Sequence, residues 1–194
     1  MAESTKVLLF TLFFLSFSGV YTVTVAVVED HPRCLRELKD SLIDPLGSLK
    51  SWNTLDSSSV CGVAGVSCWI NSDERVISLE LQGKGLSGHL PDALKYCSFS
   101  LHHLNLSGNS LFGSIPSEIC SWMPYLVTLD LSNNSFSGSI PAELGKCTYL
   151  NNIMLNNNEL TGNIPQEISS LRRLKVLCLS NNDLSGSIAP FFQD

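Results

Sequence analysis

The chain has 194 residues, of which 44% are hydrophobic and 15% charged, and its formal net charge is -6. That balance suits one folded domain rather than a disordered chain. An acidic chain without a cluster of Lys and Arg lacks the electrostatic footprint for nucleic acid or an anionic membrane surface, so neither is an expected partner.

In chain order, Lys6 precedes an apolar run from Val7 to Phe17, and small or neutral residues lead up to Thr24-Val25-Ala26. This is the pattern of a cleaved secretory leader, so residues 1–26 are read as a signal peptide, with retention as a membrane anchor the competing reading. Seven cysteines fit that route, since disulfides persist in oxidising compartments. Seven is odd, so at least one thiol has no partner within the chain. Cys61 and Cys68, close in sequence and flanked by Gly62 and Gly65, are the expected bridge. No C-x-x-C pair and no histidine at ligand spacing accompanies them, and neither a metal nor another cofactor is expected.

Residues 27–75 have a character of their own. Leu35, Leu38 and Leu42 recur at helical spacing over His31 to Ile43, and Asp44-Pro45 ends the pattern. Trp52, Cys61, Val66 and Cys68 follow, and the segment is read as a cap for what comes next, because a stack of repeats would otherwise expose the open edge of its core.

From Val76 onward the chain repeats. Leu104-Asn105-Leu106-Ser107-Gly108-Asn109 returns as Leu129-Asp130-Leu131-Ser132-Asn133-Asn134, as Ile153-Met154-Leu155-Asn156-Asn157-Asn158 and as Leu177-Cys178-Leu179-Ser180-Asn181-Asn182, the last Asn advancing by 25, 24 and 24 residues. A degenerate first copy, Leu79-Glu80-Leu81-Gln82-Gly83-Lys84, precedes them. Each copy continues into a second string: Leu86-Ser87-Gly88-His89-Leu90-Pro91, then Leu111 to Pro116, Phe136 to Pro141, Leu160 to Pro165 and Leu184 to Ile188. Residues 76–194 are therefore five repeats, the last incomplete. Alternate Leu residues of a short strand point into a core that only stacking makes continuous, and the closing Asn can satisfy backbone groups at the bend. The Gly allows a turn that a Cβ resists, and the Pro fixes φ on the convex side. These residues are structural.

Function is then sought at the variable strand positions, which face the open concave side: His103, Asn105, Ser107 and Gly108; Thr128, Asp130, Ser132 and Asn133; Asn152, Met154, Asn156 and Asn157; Val176, Cys178, Ser180 and Asn181, with Ser78, Glu80, Gln82 and Gly83 on the first strand. They are mostly small, polar and uncharged. Such a face suits a protein or peptide held by many modest hydrogen bonds, with Met154 and Val176 as its apolar contacts, and not a catalytic pocket. His102-His103 is the only histidine cluster, and adjacent strand residues point to opposite faces. Glu80 and Asp130 are read as solvated strand-face charges, and no phosphate-binding loop of the G-x-x-x-x-G-K-[ST] form occurs.

Cys97 and Cys147 sit where a repeat often carries a buried Leu, so a small apolar filler is the plain reading, while a Cys97–Cys120 bridge between neighbouring coils is an alternative. Cys34 is left spare or bonded to the cap, and Cys178 falls on the concave face. Two N-glycosylation sequons, Asn105-Leu106-Ser107 and Asn133-Asn134-Ser135, lie at or near that face.

The repeated L-S-G-x-I-P string resembles the plant-specific class of leucine-rich repeats found in receptor kinases, receptor-like proteins and polygalacturonase inhibitors. The resemblance implies an α/β repeat solenoid, a curved right-handed superhelix with an N-terminal helical cap. Gly65-Val66-Ser67-Cys68 is similar to the G-V-x-C end of that class's cap, although Val63 stands where the class usually has Trp. More narrowly, Cys68-Trp69, Ile119 to Val127 with Thr128-Leu129-Asp130-Leu131-Ser132, and Cys147-Thr148-Tyr149-Leu150-Asn151 resemble the short ectodomain of BIR-type receptor-like kinases. That family's ectodomains bind SERK-type co-receptors, which implies an extracellular protein-interaction module in signalling regulation, secreted to the apoplast or held at the cell-surface side of the plasma membrane if a longer form carries an anchor. No enzymatic activity is expected of these residues. The alternatives are an inhibitor of a secreted cell-wall-degrading enzyme and a fragment without function.

Overall fold

The computed structural model describes residues 7–16, 19–28, 30–54, 60–70 and 73–186. Residues 7–16 and 19–28 pair as an antiparallel hairpin that forms a sheet of its own. Lys6, Phe17 and Ile188 lie outside the described residues.

The cap begins with helix α1, His31–Ser41. Asp30 starts it by accepting the Arg33 N–H at 2.9 Å, a side-chain cap on an otherwise orphaned donor. Pro32 fits the first turn, where no helical N–H is lost. Cys34, Leu35 and Leu38 are buried on one face. The helix stops two residues short of the expected Ile43 because Leu42 is extended and Ile43 makes a bridge to Ser87. Asp44 then holds the turn, its carboxylate accepting the N–H groups of Ser48 and Leu49 at 2.8 Å each. Trp52 is buried and donates its indole N–H to the Ala64 carbonyl at 3.0 Å. Val63 is buried beside it, so an aliphatic side chain fills part of the cap core where the plant class has a ring.

The repeats wind two ladders. The inner sheet runs through Val66–Ile70, Asp73–Glu80, His103–Asn105, Thr128–Asp130, Asn152–Met154 and Val176–Cys178, antiparallel in its first pair and parallel thereafter. The outer ladder joins Ser87–Gly88, Ser110–Gly113, Ser135–Ser139, Glu159–Asn163 and Asp183–Ser185, all parallel. Pro91, Pro141 and Pro165, with φ of -82, -68 and -62°, each precede a 3-10 turn on the convex side. In the coil between, Ile119–Trp122 makes a single α turn instead.

Between the ladders lies one continuous core. Leu79, Leu81, Leu104, Leu106, Leu129, Leu131, Ile153 and Leu155 are all 0% exposed, each such burial stabilising the fold by about 1.5–3 kcal/mol. In the fifth coil Leu174, Leu177, Leu179 and Leu184 are only partly buried. The closing asparagines bind coil to coil: Asn134 Nδ2 donates to the carbonyls of Leu106, Leu131 and Ser132, and its Oδ1 accepts the Leu111 N–H at 3.0 Å. Asn109, Asn158 and Asn182 repeat this pattern.

Before each of these asparagines, and before Lys84 in the first coil, the chain enters the left-handed region. The residues there are Gly83, Gly108, Asn133, Asn157 and Asn181, with φ between 55 and 64°. The sequence alone reads these positions as variable and free for binding. They are instead fixed by a backbone that only Gly and Asn enter at little cost.

Three disulfides staple the coils: Cys34–Cys97, Cys61–Cys68 and Cys120–Cys147. The Cys97–Cys120 bridge is not formed, and neither Cys97 nor Cys147 is an apolar filler. Helix α1 packs against the first convex turn, Asp92–Cys97, which brings Cys34 to Cys97 with a Cα separation of 5.6 Å. Cys120 faces forward to the next coil, 5.1 Å from Cys147. Cys178 is the free thiol, half-buried.

Candidate docking surface

Parallel pairing without register shifts turns the inner sheet into columns. Ser78, His103, Thr128, Asn152 and Val176 form the first, and Glu80, Asn105, Asp130, Met154 and Cys178 the second. Ser107, Ser132, Asn156 and Ser180 follow at the strand ends. The residues of these two columns share one face by register, but much of their hydrogen bonding is spent inward. Asn105 Oδ1 accepts both the N–H and the hydroxyl of Ser107, at 3.1 and 2.8 Å, and Asp130 Oδ1 does the same with Ser132, at 3.0 and 2.7 Å. Ser78 donates to Glu80 at 2.8 Å, and Asn152 to Thr128 at 3.3 Å. Polar groups so paired gain little by exchanging their partners for those of a ligand. Met154 is half-buried and Val176 is 39% exposed.

The concave face offers no catalytic constellation. Glu80 and Asp130 are separated by the strand that carries Asn105, roughly 10 Å at the usual strand spacing, too far to share a proton. His103 joins the first concave column, whereas His102 turns to the edge, its Nδ1 2.6 Å from the Ser100 carbonyl oxygen.

A different surface carries the large side chains. At the edge where the chain passes from the convex turns to the inner strands, Phe99, Tyr125 and Tyr149 stack coil upon coil, with ring centroids 6.2 and 5.2 Å apart. The Arg173 guanidinium continues the stack, 4.8 Å above the Tyr149 ring, a cation–π contact. At the N-terminal end of this edge Trp69, 57% exposed, lies 5.9 Å from the His102 ring. Each rung is positioned by the core: Tyr125, Tyr149 and Arg173 immediately precede the inward-facing Leu126, Leu150 and Leu174, so the backbone that buries the leucine holds the neighbouring side chain outward. A shallow groove lined by Thr148, Tyr149, Ser170, Arg172 and Arg173 opens at the far end.

Charge is unevenly shared. Arg33 on the cap donates to Glu37, Lys95 in the first convex turn donates to Asp92, and each hydrogen bond raises the pKa of its cation above the ordinary value. Arg172, Arg173 and Lys175, by contrast, are exposed and make no ion pair among the described residues. The edge is thus an aromatic strip ending in a cationic patch, on a chain whose net charge is -6. The sequence reading misses it, and Arg172, Arg173 and Lys175 correct the expectation that the chain has no cluster of Lys and Arg. The strip's signal is an aromatic or cationic residue just before the inward-facing Leu in three successive repeats.

Comparison with known proteins agrees with this architecture. Residues 29–69 match the leucine rich repeat N-terminal domain, and residues 100–122, 125–147, 149–171 and 173–194 match the Leucine Rich Repeat model. The inactive LRR receptor-like serine/threonine-protein kinase BIR2 of Arabidopsis thaliana is 50% identical over 93 residues, 46% of this chain and 15% of that protein. The chain thus spans about one-sixth of the length of the curated relatives it matches. Among solved structures, the BIR2 ectodomain of Arabidopsis thaliana superposes with a TM-score of 0.82 at 52% identity, covering 86% of this chain and 87% of that one. The BIR3–SERK2 complex of the same plant gives a TM-score of 0.80 at 52% identity, covering 84% and 87%. The chain belongs to the plant leucine-rich-repeat receptor-like kinase ectodomains, with those of the BIR type among its relatives.

Proposed function

We propose that this chain is an extracellular docking module, acting in signalling regulation, that engages the ectodomain of a SERK-type co-receptor through the aromatic edge rather than through the centre of the concave face. The observation that carries the reading is the stack Phe99–Tyr125–Tyr149–Arg173 beside a concave face whose polar groups already bond to one another. Aromatic and Arg side chains held rigid by a packed core bind at small entropic cost and commonly dominate interface energies. The cations at the far end, which make no ion pair among the described residues, suit an acidic patch on the partner and steer encounter toward that end. Val176, which opens the last inner strand, and Lys175 just before it extend the surface inward. The BIR3–SERK2 complex among the structural neighbours supplies the partner class.

The module is not an enzyme in this reading, since its carboxylates and histidines are set apart by the repeat geometry. Titration of the secreted chain with a SERK-type ectodomain, followed by calorimetry, tests the proposal: saturable one-to-one binding is expected. Potent inhibition of a pectin-degrading enzyme with no co-receptor binding would instead establish the cell-wall-inhibitor reading.

A further inference from the structure

The asparagines of the repeats divide into two structural classes. Asn109, Asn134, Asn158 and Asn182 use both ends of the amide, Nδ2 donating to carbonyls of their own and the preceding coil. None of these four stands in an N-x-S/T sequon. Asn105 and Asn133 do stand in sequons, and in both the fold needs the oxygen more than the nitrogen. Asn105 Oδ1 takes the Ser107 N–H and hydroxyl, the arrangement that Asp130, with no nitrogen at all, makes in the next strand. Asn133 Oδ1 accepts from Asn157 at 2.8 Å, and its Nδ2 makes one long contact of 3.3 Å to Ser132 Oγ that a substituted amide can keep with its remaining hydrogen.

We propose that Asn105 and Asn133 both carry N-linked glycans, and that the two sugars close the centre and far rim of the concave face while leaving the aromatic edge bare. The amide nitrogen attacks the anomeric carbon of a lipid-pyrophosphate-linked oligosaccharide. The N–C bond forms, the C–O bond to pyrophosphate breaks, and one Nδ2 proton is lost to the transferring enzyme's base. Neither attachment costs the fold a hydrogen bond that it relies on. Asn105 lies in the middle column of the inner sheet, between Glu80 and Asp130, so a sugar there projects over the face on which a peptide would lie. Asn133, exposed and left-handed with φ of 55°, sits at the strand-end rim, opposite the edge that carries Tyr125 and Tyr149. The second half of the proposal rests on the docking reading above.

The test uses the whole chain secreted from plant cells. Peptide mapping is expected to find sugar on both asparagines, and a secreted chain with either one unmodified overturns the assignment. The sugars are then removed by substitutions that the neighbouring coils already use: Asn105→Asp, as at Asp130, and Asn133→Gly, as at Gly108, whose φ is 64°. Affinity of the folded double variant for a SERK-type ectodomain should stay within about twofold of the glycosylated chain, whereas tightening by about tenfold or more would show that the partner seeks the shielded face. Binding by neither form counts against the docking reading alone, and the peptide map still decides the sugars.

Discussion

The three disulfides close loops of very different length, and that difference sets a ranked expectation. Cys34–Cys97 spans 63 residues, Cys120–Cys147 spans 27 and Cys61–Cys68 spans 7. If a bridge stabilises by restricting the unfolded chain, these loops correspond to about 4.3, 3.6 and 2.4 kcal/mol respectively. Location sharpens the ranking. Cys34 and Cys97 are both 0% exposed and tie helix α1 to the first convex turn. Replacing both by Ala therefore also opens a small void and loosens the cap that covers the first coil. The assay is reversible urea unfolding of the three double variants, each pair of cysteines replaced by Ala, followed by circular dichroism. Losing Cys34–Cys97 should cost most, about 4 kcal/mol, which for a chain of this size lowers Tm by roughly 10 °C. Losing Cys61–Cys68 should cost least. The reverse order would refute the reasoning, because loop entropy would then not govern and the short cap bridge would be the main staple.

Three further outcomes follow from the same structure. Asn134→Ala strands the Leu111 N–H and removes a donor from the Leu106 carbonyl, a loss of about 2–4 kcal/mol by chemical denaturation, and a cost under about 0.5 kcal/mol would show that the asparagine ladder is dispensable. Hydrogen exchange should be at least about tenfold faster at Leu179 than at Leu131, since Leu131 donates to the Met154 carbonyl and no following coil stands beside Leu179 among the described residues. Equal protection would mean that sequence beyond residue 186 covers the fifth coil. Val176→Asp, beside the cationic patch, should weaken co-receptor binding by about tenfold and Met154→Asp, one column further in, by less; equal effects by surface plasmon resonance would extend the docking surface across the sheet.

Periodicity made the repeat legible, because Leu, Asn, Gly and Pro each answer to a physical demand that recurs every coil. The left-handed corner is hard to read for a physical reason: Gly83 and Gly108 give way to Asn133, Asn157 and Asn181, which looks like variation until φ shows what the two residue types share. Disulfide partners were not legible beyond the short Cys61–Cys68 loop. Cys97 looks equally toward Cys120 in sequence, and only the packing of helix α1 on the first convex turn decides for Cys34. The aromatic edge escaped notice because the repeat logic directs attention to strand positions. Tyr125, Tyr149 and Arg173 lie three residues before the strands that open at Thr128, Asn152 and Val176, where no rule of the fold demands a residue type.

The measurement that bears most directly on the docking account is the affinity of the folded chain for a SERK-type ectodomain after Tyr149→Ala with Arg173→Ala, set beside Glu80→Ala with Asn156→Ala on the concave face. The account predicts a loss of about 100-fold for the edge pair and less than about threefold for the concave pair, since rigid aromatic and Arg anchors carry a disproportionate share of interface energy. A loss confined to the concave pair, with the edge pair binding as the unmodified chain does, would contradict it.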